Sequence, residues 1–168
     1  MSELTKKDLT NKTISNKQIL DNFLLENIIN KDYRLSWDNY LISLAVLATK
    51  RSSCNRLQVG CVIVKDNRVI STGYNGFLQG SPHISRVVNN HEQFTIHAEQ
   101  NAICYAAKEG VSLRDSVAYV THYPCINCFK LLIAAGIKEV KYLEDYKNDP
   151  LVVEMAIENS IRLIKIKN

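Results

Sequence analysis

The sequence predicts an α/β fold, a mixed sheet with helices on both faces, and three observations carry that expectation. The chain has 168 residues, a length that holds one core and little else. Hydrophobic residues make up 46% and charged residues 23%, the balance of a chain that folds around an apolar interior rather than staying disordered. Short β-branched runs alternate with stretches of helical period after an opening helix and hairpin, and that order builds a partly parallel sheet.

The elements follow in order. Met1 to Lys17 is polar and expected to be loose. Ile19, Leu20, Phe23, Leu24 and Ile28 recur at helical spacing, so a short amphipathic helix is expected there, packed on the body or on another subunit. Residues 1–33 read as a partly helical N-terminal extension and 34–168 as the main domain. Ser36 caps a second helix with Asp38 in its first turn. Trp37, Leu41, Leu44, Ala45 and Ala48 form its expected buried stripe, and Lys50 and Arg51 suit its C-terminal dipole.

Val59 to Val64 and Val69 to Ser71 read as strands joined by an Asp66-Asn67 turn, which makes a hairpin. Gly73 to Gly76 and Gly80 to about Phe94 read as long loop, a length that usually serves function. His97 to Lys108 is helical, with Gly110 as its stop. Ser116 to Thr121 is a strand. Cys125 to Ala135 is a helix between Pro124 and Gly136. Glu139 to Leu143 is a strand, Pro150 to Asn159 a helix, and Ile161 to Ile166 the last strand.

Charge and cysteine content narrow the function. Lys plus Arg is 21 and Asp plus Glu is 17, a net +4 that suits an anionic ligand, while no dense basic block marks a nucleic-acid protein. The longest apolar run, Leu41 to Ala48, is interrupted by Ser43 and falls far short of a bilayer span, so no membrane partner is expected. No secretory leader pattern is read at the N-terminus. Five cysteines are an odd number for a disulfide framework, and a reducing, cytoplasmic setting is expected. Cys61 and Cys104 lie in apolar segments and read as core, and Cys54 is given no role. His83 and His91 read as solvated loop residues.

Two motifs carry chemistry. His97-Ala98-Glu99 and Pro124-Cys125-Ile126-Asn127-Cys128 each open a helix. Cys125 and Cys128 project from one face, and the positive end of a helix favours thiolates. Thiolates at that spacing suit Zn²⁺, and His97 is the best-placed third ligand. Two Cys and one His leave a position for water, as in a catalytic site, and a fourth protein ligand would make the site structural. A carboxylate beside such a metal accepts the proton of the water, which gives Glu99 its role. Histidine-x-glutamate followed by Pro-Cys-x-x-Cys is the signature of zinc-dependent nucleobase deaminases.

From Arg34 to Tyr146 the chain resembles the deoxycytidylate (dCMP) deaminases of the cytidine deaminase-like superfamily. The resemblance runs through Ser36-Trp37-Asp38, Arg51 to Arg56, Val59 to Asp66, Gly73-Tyr74-Asn75-Gly76, His97 to Ile103, Pro124 to Cys128, Ala135 to Val140 and Glu144-Asp145-Tyr146. It implies a three-layer cytidine deaminase-like fold with a five-stranded mixed sheet. The implied reaction is hydrolysis of dCMP to dUMP and ammonia, supplying dUMP for thymidylate synthesis, by a hydrolase acting on C–N bonds of cyclic amidines. His97, Cys125 and Cys128 would bind one catalytic zinc per chain, and Glu99 would shuttle the proton from the water to the ring N3 and then to the leaving amine.

The resemblance also assigns substrate residues. Asn75 would contact sugar and base, although Asn before Gly is also a common turn pair. Arg51 and Arg56 would hold the 5′-phosphate or else cap a solvated helix end. Tyr146 matches a tyrosine near the phosphate, and Tyr123 would flank the base. Many such enzymes are homohexamers activated by dCTP and inhibited by dTTP. Gly73, Tyr74 and Gly76 resemble the region that contacts those effectors, whose triphosphates would bring Mg²⁺. Other readings are a deaminase of another base (dCTP, tRNA adenosine or guanine) and a nucleotide-sensing module with zinc for structure alone.

Overall fold

A computed structural model describes residues 15–30, 32–89 and 91–167. Most of the segment expected to be loose, up to residue 14, lies outside them. The first helix, α1 (Asn16–Leu24), is opened by a Ser15–Gln18 capping box and runs into a turn of π-helix, Leu25–Ile29. Helix α2 (Trp37–Thr49) is capped by Ser36, whose hydroxyl accepts from the Asn39 N–H at 3.1 Å.

The hairpin strands are β1 (Gly60–Lys65) and β2 (Arg68–Tyr74). Asp66 and Asn67 between them have φ of 51° and 59°, the left-handed pair that a two-residue hairpin turn requires. Strand β2 is longer than expected. Tyr74 is followed by β3 (Gly76–Phe77), which pairs with β6 (Thr95–Ile96). The loop between them folds on itself as a small ladder of β4 (Val87–Val88) and β5 (His91–Glu92). The rest of the chain is α3 (Ala98–Lys108), β7 (Val117–His122), α4 (Ile126–Ala134), β8 (Glu139–Glu144), α5 (Pro150–Glu158) and β9 (Arg162–Lys165).

The main sheet has five strands in the order β2-β1-β7-β8-β9. Strand β1 is antiparallel to both neighbours, whereas β7, β8 and β9 run parallel, so the sheet is mixed as expected. Alternate residues of each strand feed opposite faces. Cys61, Ile63, Ala118, Val120 and Val140 pack with Ala102 of α3, Phe129 and Leu132 of α4 and Val152 of α5. Val62, Val64, Tyr119 and Leu143 pack with Leu41, Ile42, Ala45 and Val46 of α2 and with Leu20 and Phe23 of α1. Three layers result, and α1 is part of the second core.

Two expected core positions differ. Trp37 is 49% exposed, because it sits at the first residue of α2, on the side turned away from the sheet. Cys104 is exposed as well: α3 buries Ala98, Ala102 and Ala106, and Cys104 falls between those rows. Helical spacing marks an apolar segment but does not say which side the sheet covers.

Candidate active site

The site is built at the starts of two helices. His97 is the N-cap residue of α3 and Cys125 that of α4, both extended, with ψ of 157° and 158°. The Gln100 side chain accepts the His97 N–H at 3.2 Å and fixes the entry to α3. Gly73 lets α3 approach the sheet. A Cβ there would lie 2.2 Å from the Ala98 carbonyl oxygen and 2.5 Å from the Ala102 nitrogen. Gly136 ends α4 with φ of 91°, a backbone that favours glycine.

These starts bring the expected donors together. His97 Nδ1 lies 3.6 Å from Cys125 Sγ and 3.3 Å from Cys128 Sγ. All three ligand atoms fall within 4.8 Å of one another. Tetrahedral zinc with ordinary Zn–N and Zn–S bonds separates N and S by about 3.5 Å, so the donors fit the metal in identity and in spacing. The hydrogen bond from Cys128, helped by His97, pulls the Cys125 pKa down to about 4, and the same bond together with burial pushes Cys128 up. The Cys125 sulfur in turn raises His97.

Glu99, only 4% exposed, sits beside them. Burial raises its pKa, which brings a carboxyl closer to exchanging protons at neutral pH. Cys61 packs near it: burial and the Glu99 charge hold that thiol well above its usual value, so it remains a core thiol.

A cavity of about 180 Å³ opens over this cluster, lined by Glu99, His97, Cys125, Cys54, Arg56, Asn75, Tyr123 and Tyr146 among others. A larger groove, about 390 Å³, runs past α5 on another side of Tyr123 and contains none of the metal donors. Asn75 is nearly saturated. Its Oδ1 accepts from Ser52 Oγ and the Val59 N–H, both at 2.8 Å, and its Nδ2 donates to the Leu57 carbonyl at 2.7 Å. One Nδ2 hydrogen is left for a ligand. Tyr123 turns its hydroxyl toward the Asp149 carbonyl, 3.3 Å away, and offers the cavity its ring. Tyr146 stands edge-on to His122 with centroids 6.0 Å apart.

Other expected residues fall outside the wall. Arg51 is exposed in the turn after α2. Gly73 and Tyr74 belong to β2 against α3, and Gly76 packs on Ser53. His83 is exposed but stacks on Phe77 at 5.1 Å, and the His91 side chain lies outside the described residues. Sequence reading missed Glu92, His122 and Lys147, which also line the cavity. Glu92 accepts from the Ser85 hydroxyl and from the Arg86 and Phe94 N–H groups and so organises its loop. No short motif marks these residues.

Three side chains that could hold a metal ion and a buried carboxylate beside them, set at the starts of two helices, suit a zinc-dependent hydrolase. Residues 35–144 match the family described as the cytidine and deoxycytidylate deaminase zinc-binding region, and the chain belongs to that family. It is 46% identical to ComE operon protein 2 of Bacillus subtilis over 138 residues, which is 80% of this chain and 73% of that one. It is 40% identical to the deoxycytidylate deaminase of Saccharomyces cerevisiae over 69% of its own length, and spans 40% of the length of that enzyme. The dCMP deaminase of cyanophage S-TIM5, solved with dCMP and dUMP, superposes with a TM-score of 0.68 at 29% identity, over 74% of this chain and 93% of that one.

Proposed function

We propose that the chain deaminates dCMP hydrolytically, giving dUMP and ammonia. The observation that carries this is the buried Glu99 carboxyl against the His97–Cys125–Cys128 cluster, at the floor of a cavity with Arg56 in its wall. Support also comes from the relatives named deoxycytidylate deaminase and from the phage enzyme solved with dCMP and dUMP.

His97, Cys125 and Cys128 would hold zinc, which when bound would supply the Lewis acidity that lets a water lose its proton near neutral pH. Glu99 takes that proton and delivers one to N3 of the pyrimidine, which makes C4 electrophilic. The water oxygen bonds C4, Glu99 carries the second proton from that hydroxyl to the amino group, and ammonia leaves as the C4–N bond breaks and the C4 carbonyl forms. One carboxyl serves both steps because it ends each transfer ready for the next. The free Nδ2 hydrogen of Asn75 meets the sugar or base, the Tyr123 ring flanks the base, and Arg56 and Tyr146 lie toward the 5′-phosphate.

The same reading includes a cytoplasmic homo-oligomer of the hexameric type, with dCTP and dTTP as effectors and Mg²⁺ on their triphosphates. An apolar stripe on the outer side of α2, Trp37, Tyr40 and Leu47, each at least 44% exposed, supports assembly. No helix among the described residues is long and apolar enough to cross a membrane. Ammonia release from dCMP, dCTP, deoxycytidine and a tRNA anticodon stem-loop, with and without dCTP and dTTP, tests the proposal. Preferred turnover of dCMP is expected. Turnover of another member of that panel without dCMP turnover overturns it.

A further inference from the structure

His122 ends β7 on the strand side that carries Ala118 and Val120, the side facing α3 and α4. It is 3% exposed and lines the same cavity as His97 and Glu99. Its Nδ1 lies 3.0 Å from the Thr121 hydroxyl, and that oxygen already accepts the Gly60 N–H at 3.1 Å. With the Thr121 hydroxyl proton given to Nδ1, the imidazole proton sits on Nε2. Nε2 is shut off from bulk water and has no hydrogen-bond partner. Burial pushes the pKa of the ring down to about 4, so the group is a neutral N–H donor at ordinary pH.

A buried donor with no protein acceptor calls for an acceptor from within the cavity. The neighbours say which kind. Tyr146 is edge-on to the imidazole, Lys147 Nζ stands 5.7 Å from the centre of the Tyr146 ring, and Lys147 also lines the cavity. This end of the cavity gathers donors and positive charge and suits a group that only accepts. We propose that His122 is a substrate-binding residue whose Nε2–H donates to an oxygen of the nucleotide 5′-phosphate.

The proposal rests on the nucleotide reading above, and binding measurements separate the two. Zinc-loaded wild type, His122→Phe and His122→Gln are titrated calorimetrically with dUMP and with deoxyuridine, and their ammonia release from dCMP is followed. His122→Phe is expected to weaken dUMP about 10- to 100-fold, the scale of a hydrogen bond to a charged acceptor, and to leave deoxyuridine unchanged. For dCMP the loss appears in KM with kcat nearly intact. His122→Gln places an amide N–H near the position of Nε2 and recovers most of the affinity, a rescue that packing alone does not produce. Equal weakening of dUMP and deoxyuridine, dUMP binding by His122→Phe at the wild-type level, or no recovery by a folded His122→Gln overturns the proposal. Wild type that binds dUMP but releases no ammonia from dCMP overturns the deamination reading alone, and His122 then stands or falls by the titrations. Wild type that binds no nucleotide overturns both.

Discussion

Cys128 Sγ lies 3.3 Å from Nδ1 of His97, 31 residues away in the chain, and two helix starts hold them there. The separation is that of two ligands on one small ion, and both side chains are placed by backbone that is already committed. Cys128→Ser is therefore expected to fold but to lose its zinc. Metal analysis should give about one zinc per chain for the wild type and a small fraction of that for the variant. Chelation of the wild type should abolish ammonia release, and added Zn²⁺ should restore it. Full zinc content in Cys128→Ser would remove that residue from the ligand set.

Glu99 is expected to separate binding from chemistry. Glu99→Gln keeps the volume of the side chain and leaves the three ligand residues in place. Zinc content should stay at the wild-type level while kcat falls about 10²- to 10⁴-fold, the range for loss of a general acid–base. Full activity with zinc bound would exclude Glu99 as the proton carrier.

Gly73→Ala should act on the same site from below. The added Cβ collides with the backbone of α3, at the Ala98 carbonyl and the Ala102 nitrogen, so no side chain can swing aside. Overpacking of this kind costs about 1–3 kcal/mol. Because Ala98 lies between His97 and Glu99, the displacement should also weaken zinc. Urea unfolding and zinc titration of the variant check both effects, and an unchanged midpoint would show that α3 yields freely.

What the sequence makes legible follows from the range of each signal. His97, Glu99, Cys125 and Cys128 are readable because each pair is local and each motif coincides with a helix start. The alternating faces of β1 and β7 are readable for the same reason, since Cys61 and Val62 declare opposite sides by period alone. Burial of Trp37 and Cys104 is not readable, because it depends on where a neighbouring layer ends. Nor is the cavity wall. Glu92, His122 and Lys147 come from three separate segments and share no spacing. Asn75 stands between these cases: the sequence marks the residue, and the fold shows that Ser52, Leu57 and Val59 occupy most of its amide.

That occupation makes Asn75 a test of the cavity wall. Asn75→Asp preserves shape and both contacts to Oδ1, but sets an oxygen against the Leu57 carbonyl, 2.7 Å away. Loss of the buried donor should cost about 1–3 kcal/mol and loosen residues 52–59. Thermal unfolding should register the first effect and a raised KM for dCMP the second. A variant as stable as the wild type would mean that the loop does not depend on this amide.

Acid stability should depend on the opposite face of the sheet. Asp38 Oδ1 accepts from the Tyr119 hydroxyl at 2.7 Å and from Lys141 Nζ at 2.6 Å. Burial works to raise the Asp38 pKa, but the bonds from Lys141 and Tyr119 outweigh it and leave the carboxyl below its usual 3.8. A folded-state pKa below the unfolded one means that stability is present above the unfolded value and is lost as pH falls through the folded one. Asp38→Asn should therefore be less stable than the wild type at pH 7. The Asp38 side chain is 44% exposed, so solvent screening limits the difference to about 1 kcal/mol. The difference should begin to close near pH 3.8 and vanish as pH falls through the lower folded-state value, where the wild-type carboxyl also becomes neutral. Urea midpoints of the two proteins across that range test it, and a gap that stays constant into acid would show that shape rather than charge holds this corner.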